Sequence, residues 1–226
     1  MPFYIEGLIS DIDSLIIRTP EEFVQQGVNV HLNSKCTKIN PDEKTVEILN
    51  LRTNEKMLIP YDDLVIATGA RPFIPPIINV SLNNIFTLKT LNDGVKIREK
   101  MRLSKKAVIV GGGNISIELL WAFTKNDINT EIVECSSHML SKLDAEMAQL
   151  VERYILGNFE NTIKIHTNKS AVEFIGDDNQ NVIAVKLNTG EVIETDFVVI
   201  ASGIVPNSEI FKEAGGCLLY TSDAAD

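Results

Sequence analysis

Cysteine is scarce in this chain. Cys36, Cys135 and Cys217 are the only three in 226 residues. They are too few and too scattered for a disulfide framework or a zinc site, and no Cys-x-x-Cys pair occurs. They read as small buried or half-buried thiols. Histidine is equally sparse: His31, His138 and His166 share no ligand-like spacing, so no metal site is expected. Positive charge is also short, with 21 Lys and Arg against 31 Asp and Glu, a formal charge of −10. Without a basic cluster, nucleic acid is excluded as a partner. No apolar run has the length to span a bilayer. The opening Met1-Pro2-Phe3-Tyr4-Ile5-Glu6 lacks the basic start and apolar stretch of a secretion signal, so a cytoplasmic protein is expected. The 44% hydrophobic fraction is ample for a core, and the length admits one large or two modest domains.

What the chain does contain is a phrase used twice. Leu64-Val65-Ile66-Ala67-Thr68-Gly69-Ala70-Arg71-Pro72 returns as Val198-Val199-Ile200-Ala201-Ser202-Gly203-Ile204-Val205-Pro206. Each copy follows an expected β-hairpin, and each has an aspartate two residues ahead of its apolar run, Asp62 and Asp196. A buried strand ending in small residues presents bare backbone at a surface, which suits close contact with a cofactor. Thr68, Gly69, Ala70 and Gly203 are therefore candidate contacts.

The rhythm along the chain fixes the expected architecture. Thr19-Pro20-Glu21-Glu22 is a helix start with threonine cap, early proline and capping-box glutamate. Alternating segments at 28–32, 45–49 and 57–59 predict an antiparallel meander, followed by a buried strand at 64–67. The prolines of 71–81 predict a linker. Beyond it, helices at 92–101, 114–125 and 144–156 alternate with strands at 107–110, 130–134 and 162–166. That alternation predicts right-handed βαβ units on a parallel sheet. A second meander at 171–175, 182–187 and 191–193 leads into a strand at 197–201.

Gly111-Gly112-Gly113-Asn114-Ile115-Ser116 is a GxGxxG turn whose third glycine is serine. Gly111 permits the tight turn and Gly113 lets backbone approach a pyrophosphate. The helix beginning at Asn114 and Ile115 supplies amide donors and a positive dipole end. Serine at 116 is expected to loosen helix–strand packing slightly. Glu134 lies roughly 20 residues on, the spacing of the acid that binds a ribose 2′-hydroxyl. No arginine follows it, so NADH is favoured over NADPH. Glu118, one turn into the helix, is either a solvated charge or a group reaching toward the nicotinamide. Trp121 and Phe123 read as core or interface residues.

With these residues in view, the chain resembles the pyridine nucleotide-disulfide oxidoreductases, in the branch of coenzyme A-disulfide reductases, persulfide reductases and NADH oxidases. The resemblance rests on 2–9, 18–23, 61–72, 111–118, 143–147 and 201–207. It implies an α/β fold in which an NAD-binding Rossmann-like domain is inserted in an incomplete FAD-binding domain with antiparallel β-meanders. The expected boundaries are 1–82 (partial FAD domain), 83–201 (NAD(P)-binding domain) and 202–226 (truncated return). The implied cofactors are FAD and NAD(P)H, and the implied acceptor is a small-molecule disulfide, a persulfide or oxygen.

In that family a cysteine just upstream of the segment matching Pro2-Phe3-Tyr4-Ile5 carries the thiol chemistry. This chain begins after it, so no catalytic residue is expected here and the chain reads as an inactive fragment. The family's homodimerisation domain would also lie outside it, and residues 217–226 read as a truncation scar. Lys35 and Cys36 are implied to offer backbone contacts to the flavin's adenosine. Asn114 stands where the family often has an aromatic residue gating the nicotinamide. The alternative is a non-catalytic NAD(H)-binding or redox-sensing module.

Overall fold

A computed structural model of the chain describes residues 1–159 and 162–217. Most of the expected C-terminal tail lies outside the described residues. The first elements are helices α1 (Pro2–Glu6) and α2 (Pro20–Gln25) and strands β1 (Ser34–Asn40), β2 (Thr45–Asn50), β3 (Lys56–Pro60) and β4 (Ala70–Pro72). Then come β5 (Ile85–Thr87), α3 (Leu91–Met101), β6 (Lys106–Val110), α4 (Asn114–Thr124), β7 (Asn129–Val133), α5 (Ala145–Phe159) and β8 (Ile163–His166). The last are β9 (Ala171–Gly176), β10 (Val182–Leu187), β11 (Val192–Glu194), β12 (Phe197–Ile200), β13 (Ile204–Pro206) and α6 (Glu209–Glu213).

These elements form two compact units. One comprises Met1–Leu15 and Pro72–Ile204; the other comprises Ile16–Arg71 and, of the described residues, Val205–Cys217. The first is built on a parallel sheet of order β5-β12-β6-β7-β8. Its inner strands β6 and β12 are near-continuous apolar runs because both faces are covered. Alternate residues divide between the faces. Ala107, Ile109, Ile132, Phe197 and Val199 join Leu119 and Phe123 of α4, Ile97 of α3 and Ile5 of α1. Val108, Val110, Val133, Val198 and Ile200 meet Phe174, Val185, Leu187 and Ile193 of the meander β9–β11. Phe123 and Phe197 are fully buried and meet edge-on, with ring centroids 5.3 Å apart. Each fully buried side chain of this size contributes on the order of 1.5–3 kcal/mol.

Asp196, singled out by the repeat, has a structural task. Its Oδ2 accepts from the Lys105 and Lys106 amides at 2.7 and 2.8 Å, pinning the start of β6. Thr90 and Asp93 close a capping box on α3. The boundary expected at 82/83 falls inside this unit, because Ile77 is buried against the meander face and Val80 and Leu82 pack on it. The first fifteen residues belong to this unit as well, anchored by Ile5.

The second unit contains α2, the meander β1-β2-β3 and α6. The capping box of Thr19 and Glu22 opens α2 as the sequence predicts. The first meander strand is displaced from its expected place. Residues 28–32 form no strand, and β1 begins after Asn33, which turns through φ 51°. Alternation misled here because Val28 and Leu32 are exposed, whereas the true strand is largely polar. The expected strand at 64–67 is also absent: no described strand pairs with it, and Val65 is 86% exposed. The verbal repeat thus gives a buried strand only in its second copy, where β12 is flanked by β5 and β6. The segments following the two copies, β4 and β13, do pair with each other.

Candidate nucleotide-binding site

The five-stranded sheet reverses direction between β6 and β12: β7 and β8 extend it one way, β12 and β5 the other. Ligands of open α/β sheets bind beyond the carboxyl ends of the strands at such a switch point. A cavity of about 750 Å³ lies there, entirely within the first unit. Its floor is the turn Gly111-Gly112-Gly113 and the start of α4. Glu134, Cys135 and Ser136 form one side, and Ser202, Gly203 and Ile204 another.

The three glycines do different things. Gly111 has φ 110°, and a Cβ there would lie 2.5 Å from the Ala201 carbonyl oxygen. Only glycine lets β6 leave the sheet so close to the end of β12. A Cβ on Gly112 would lie 2.9 Å from Glu134 Oε2. A Cβ on Gly113 would meet nothing within 4 Å, so the space beside it is open to the cavity. Gly113 caps α4 without a side-chain bond, and the first amides of a helix have no intrahelical acceptor. Polar donors and a positive dipole end therefore converge on an unfilled space.

Ser116 corrects the expectation of looser packing. It is fully buried, and its hydroxyl donates to the Gly111 carbonyl at 2.6 Å. The serine thus fastens α4 to the turn by a bond that glycine cannot make.

Glu134 is 9% exposed. Its Oε2 accepts from the Gly112 amide at 2.5 Å, and its Oε1 accepts from the Ser136 amide at 2.7 Å and the Cys135 thiol at 3.4 Å. Burial alone pushes this carboxyl up. The Ser136 amide and hydroxyl, the Gly112 amide and the Cys135 thiol outweigh burial and hold it below its ordinary value. The opposite wall is the loop after Ser136. Leu140 adopts φ 53°, uncommon for a leucine, and donates its amide to the Gly112 carbonyl at 2.7 Å. Both polar groups of Gly112 are thereby satisfied by the chain.

Of the residues singled out from sequence, Gly111, Gly113, Asn114, Ile115, Glu134 and Gly203 line this cavity. Glu118 is exposed on α4 and is not among its lining residues. Thr68, Gly69 and Ala70 lie in or border β4, and Lys35 and Cys36 lie in β1; none lines it. The Thr68 hydroxyl donates to the Asn207 carbonyl at 2.6 Å, and the Asn207 amide donates to Gly69 O at 2.9 Å. Lys35 is exposed, and the Cys36 thiol is 3.8 Å from the Lys38 carbonyl. Sequence reasoning missed Leu140, Lys169 and the wall of Phe73, Pro75 and Pro76. The prolines were a visible signal, but they read as a linker. Phe123 is core as expected, while Trp121 is half exposed, edge-on to Phe159 and beneath Lys125.

A parallel sheet with a glycine turn, helix start and carboxylate at its switch point defines a dinucleotide-binding class of protein. The family model for pyridine nucleotide-disulphide oxidoreductases matches residues 7–223, and the chain belongs to that family. It is 31% identical over 219 residues to an NADH oxidase of Methanocaldococcus jannaschii, covering 95% of this chain and 47% of that protein. It is 30% identical over 211 residues to an NADH oxidase of Enterococcus faecalis, covering 93% and 46%. Among solved structures, a NAD-dependent persulfide reductase from A. fulgidus superposes with a TM-score of 0.87 at 30% identity, covering 95% of this chain and 40% of that one. The chain therefore spans about half the length of the curated relatives it matches. Among the described residues, no helix is long and apolar enough to cross a membrane, and no cluster of His, Cys, Asp and Glu could hold a metal ion.

Proposed function

We propose that the first unit binds NADH, and that the chain supplies the nicotinamide-nucleotide half of an FAD-dependent NAD(P)H oxidoreductase acting on coenzyme A disulfide, a persulfide or oxygen. The observation that carries this reading is the open space at Gly113, framed by the start of α4 and by Glu134. The donor set fits a dinucleotide. The first amides of α4 would receive the pyrophosphate. Glu134, with lone pairs remaining on oxygens already held by Gly112 and Ser136, would accept a hydrogen from the ribose 2′-hydroxyl. When bound, the nicotinamide supplies a hydride and the flavin accepts it.

The chain's own residues orient and shield. Gly111 keeps the turn against Ala201, Ser116 ties α4 to the turn, and Phe73, Ile115 and Leu143 give the cavity part of its apolar lining. For the flavin, Thr68, Gly69 and Ala70 of the second unit are the proposed contacts, with Lys35 and Cys36. The thiol step is assigned to a residue outside this chain. Cys36 lies in β1, and Cys135 is engaged with Glu134.

Calorimetric titration of the 226-residue chain with NADH and NADPH tests the reading, followed by an NADH oxidation assay with added FAD and coenzyme A disulfide. NADH binding without thiol-dependent turnover is the expected result. Turnover lost on Cys36→Ser or Cys135→Ser would overturn the assignment of the thiol step. Absence of NADH binding would overturn the site.

A further inference from the structure

Two basic side chains, Lys142 and Lys169, line the nucleotide cavity. Lys169 stands next to the ribose carboxylate, since its amide donates to the Glu134 carbonyl oxygen at 3.1 Å. Its ammonium is committed to Glu191 Oε2. Glu191 does not line the nucleotide cavity. It belongs to a separate groove of about 380 Å³ at the amino ends of β6 and β7. Its position is fixed by the turn before β11, where Leu187 donates to the Glu191 carbonyl at 2.8 Å and Gly190 donates to Leu187 at 2.9 Å.

The Glu191 carboxylate is held from its other side too. Oε1 faces His166 Nδ1 at 3.8 Å, and His166 Nε2 is 2.7 Å from Glu131, which is 3.4 Å from Lys164. The bond from Lys169 is the largest influence keeping the Glu191 carboxyl below its ordinary value.

We propose that Glu191 is a second determinant of nucleotide choice, because it draws the Lys169 ammonium away from the place beside Glu134 where a 2′-phosphate would stand. A lysine is a flexible point charge well suited to a phosphate. A 2′-phosphate brings nearly two negative charges. Glu134 repels that group, and Glu191 withholds the cation that would offset the repulsion. The inference rests on assigning the cavity to a dinucleotide.

The test compares adenosine 2′,5′-bisphosphate with adenosine 5′-monophosphate by calorimetry on the full chain, with NADH as reference. In Glu191→Gln the bisphosphate should gain about fivefold over the monophosphate, the scale of one charge-assisted hydrogen bond at a partly exposed site. Glu191→Ser, which cannot reach Lys169, should gain at least as much. Adding Lys169→Met should remove the gain and so distinguish Lys169 from Lys142, whereas Lys169→Met alone should leave the wild-type ratio unchanged. An unchanged ratio in both Glu191 variants, with NADH binding intact, overturns the proposal. So does a gain that survives Lys169→Met. Failure of the wild-type chain to bind NADH or the monophosphate overturns the cavity assignment, and the proposal with it.

Discussion

The hydroxyl of Ser116 donates to the carbonyl of Gly111 at 2.6 Å, joining the first turn of α4 to the residue that follows β6. The bond is shielded, since Ser116 is fully buried. Removing it leaves a part-buried carbonyl without its partner, so Ser116→Ala should cost about 1 kcal/mol of stability. Ser116→Gly, although it restores the more familiar glycine, should cost at least as much, because it also frees the helix backbone. Urea denaturation of both variants checks this, and a stabilised glycine variant would show that serine is a packing defect here.

Gly111 and Gly113 should respond differently to alanine. At Gly111 the added carbon meets the Ala201 carbonyl at 2.5 Å with φ at 110°, so folding itself is expected to suffer by about 2 kcal/mol or more. At Gly113 the carbon meets no protein atom within 4 Å. Stability should change by less than about 1 kcal/mol. NADH affinity should fall about tenfold or more, because the carbon enters the space reserved for the pyrophosphate. A melting curve and a titration of each variant separate the two effects.

Glu134 should govern both nucleotide choice and acid sensitivity. Glu134→Arg is expected to weaken or invert the NADH preference, by about 1–3 kcal/mol, through loss of a charge-assisted bond and of repulsion. Its folded carboxyl titrates below the ordinary 4.5. A depressed value means that the ionised group contributes stability above 4.5, and that this is lost only as pH falls through the folded value. NADH affinity should therefore stay level between about pH 5 and 8 as far as this group is concerned. A midpoint near neutrality that disappears in Glu134→Gln would contradict the assignment.

Asp196→Ala should destabilise the first unit by about 1–3 kcal/mol, since two amides at the start of β6 lose their acceptor. The cavity lies at the other end of that strand, so NADH affinity of the folded variant should be retained. Loss of affinity without loss of stability would place Asp196 in the site instead.

The α/β half of the molecule was readable from its residues because there burial and local propensity agree. The runs 107–110 and 197–200 are apolar throughout and covered on both faces. Reading failed where apolar residues lack a partner. Residues 28–32 and 64–67 have strand-like composition but pair with no described strand, and a strand's ladder bonds come from its neighbours rather than from itself. Around the cavity, the glycine turn and Glu134 were visible because a glycine turn and an acid at fixed spacing are local features of the sequence. Lys169 and the 72–76 wall were not, because their place is set by contacts far along the chain. Ser116 was visible as a departure, but its hydrogen bond was not.

Phe73 donates its amide to the Gly203 carbonyl at 2.9 Å, so the long excursion from Phe73 to Gly203 starts and finishes at a single point. Segments closed in this way can be exchanged or remodelled in evolution without displacing the polypeptide on either side of the junction. The segment that carries the proposed nucleotide cavity thus leaves and rejoins the chain at one junction, while Met1–Leu15 packs into the same unit from outside it. A change of nucleotide preference through Glu134, Lys169 or Glu191 can arise within the excursion while the surroundings of Thr68 and Asn207 stay as they are.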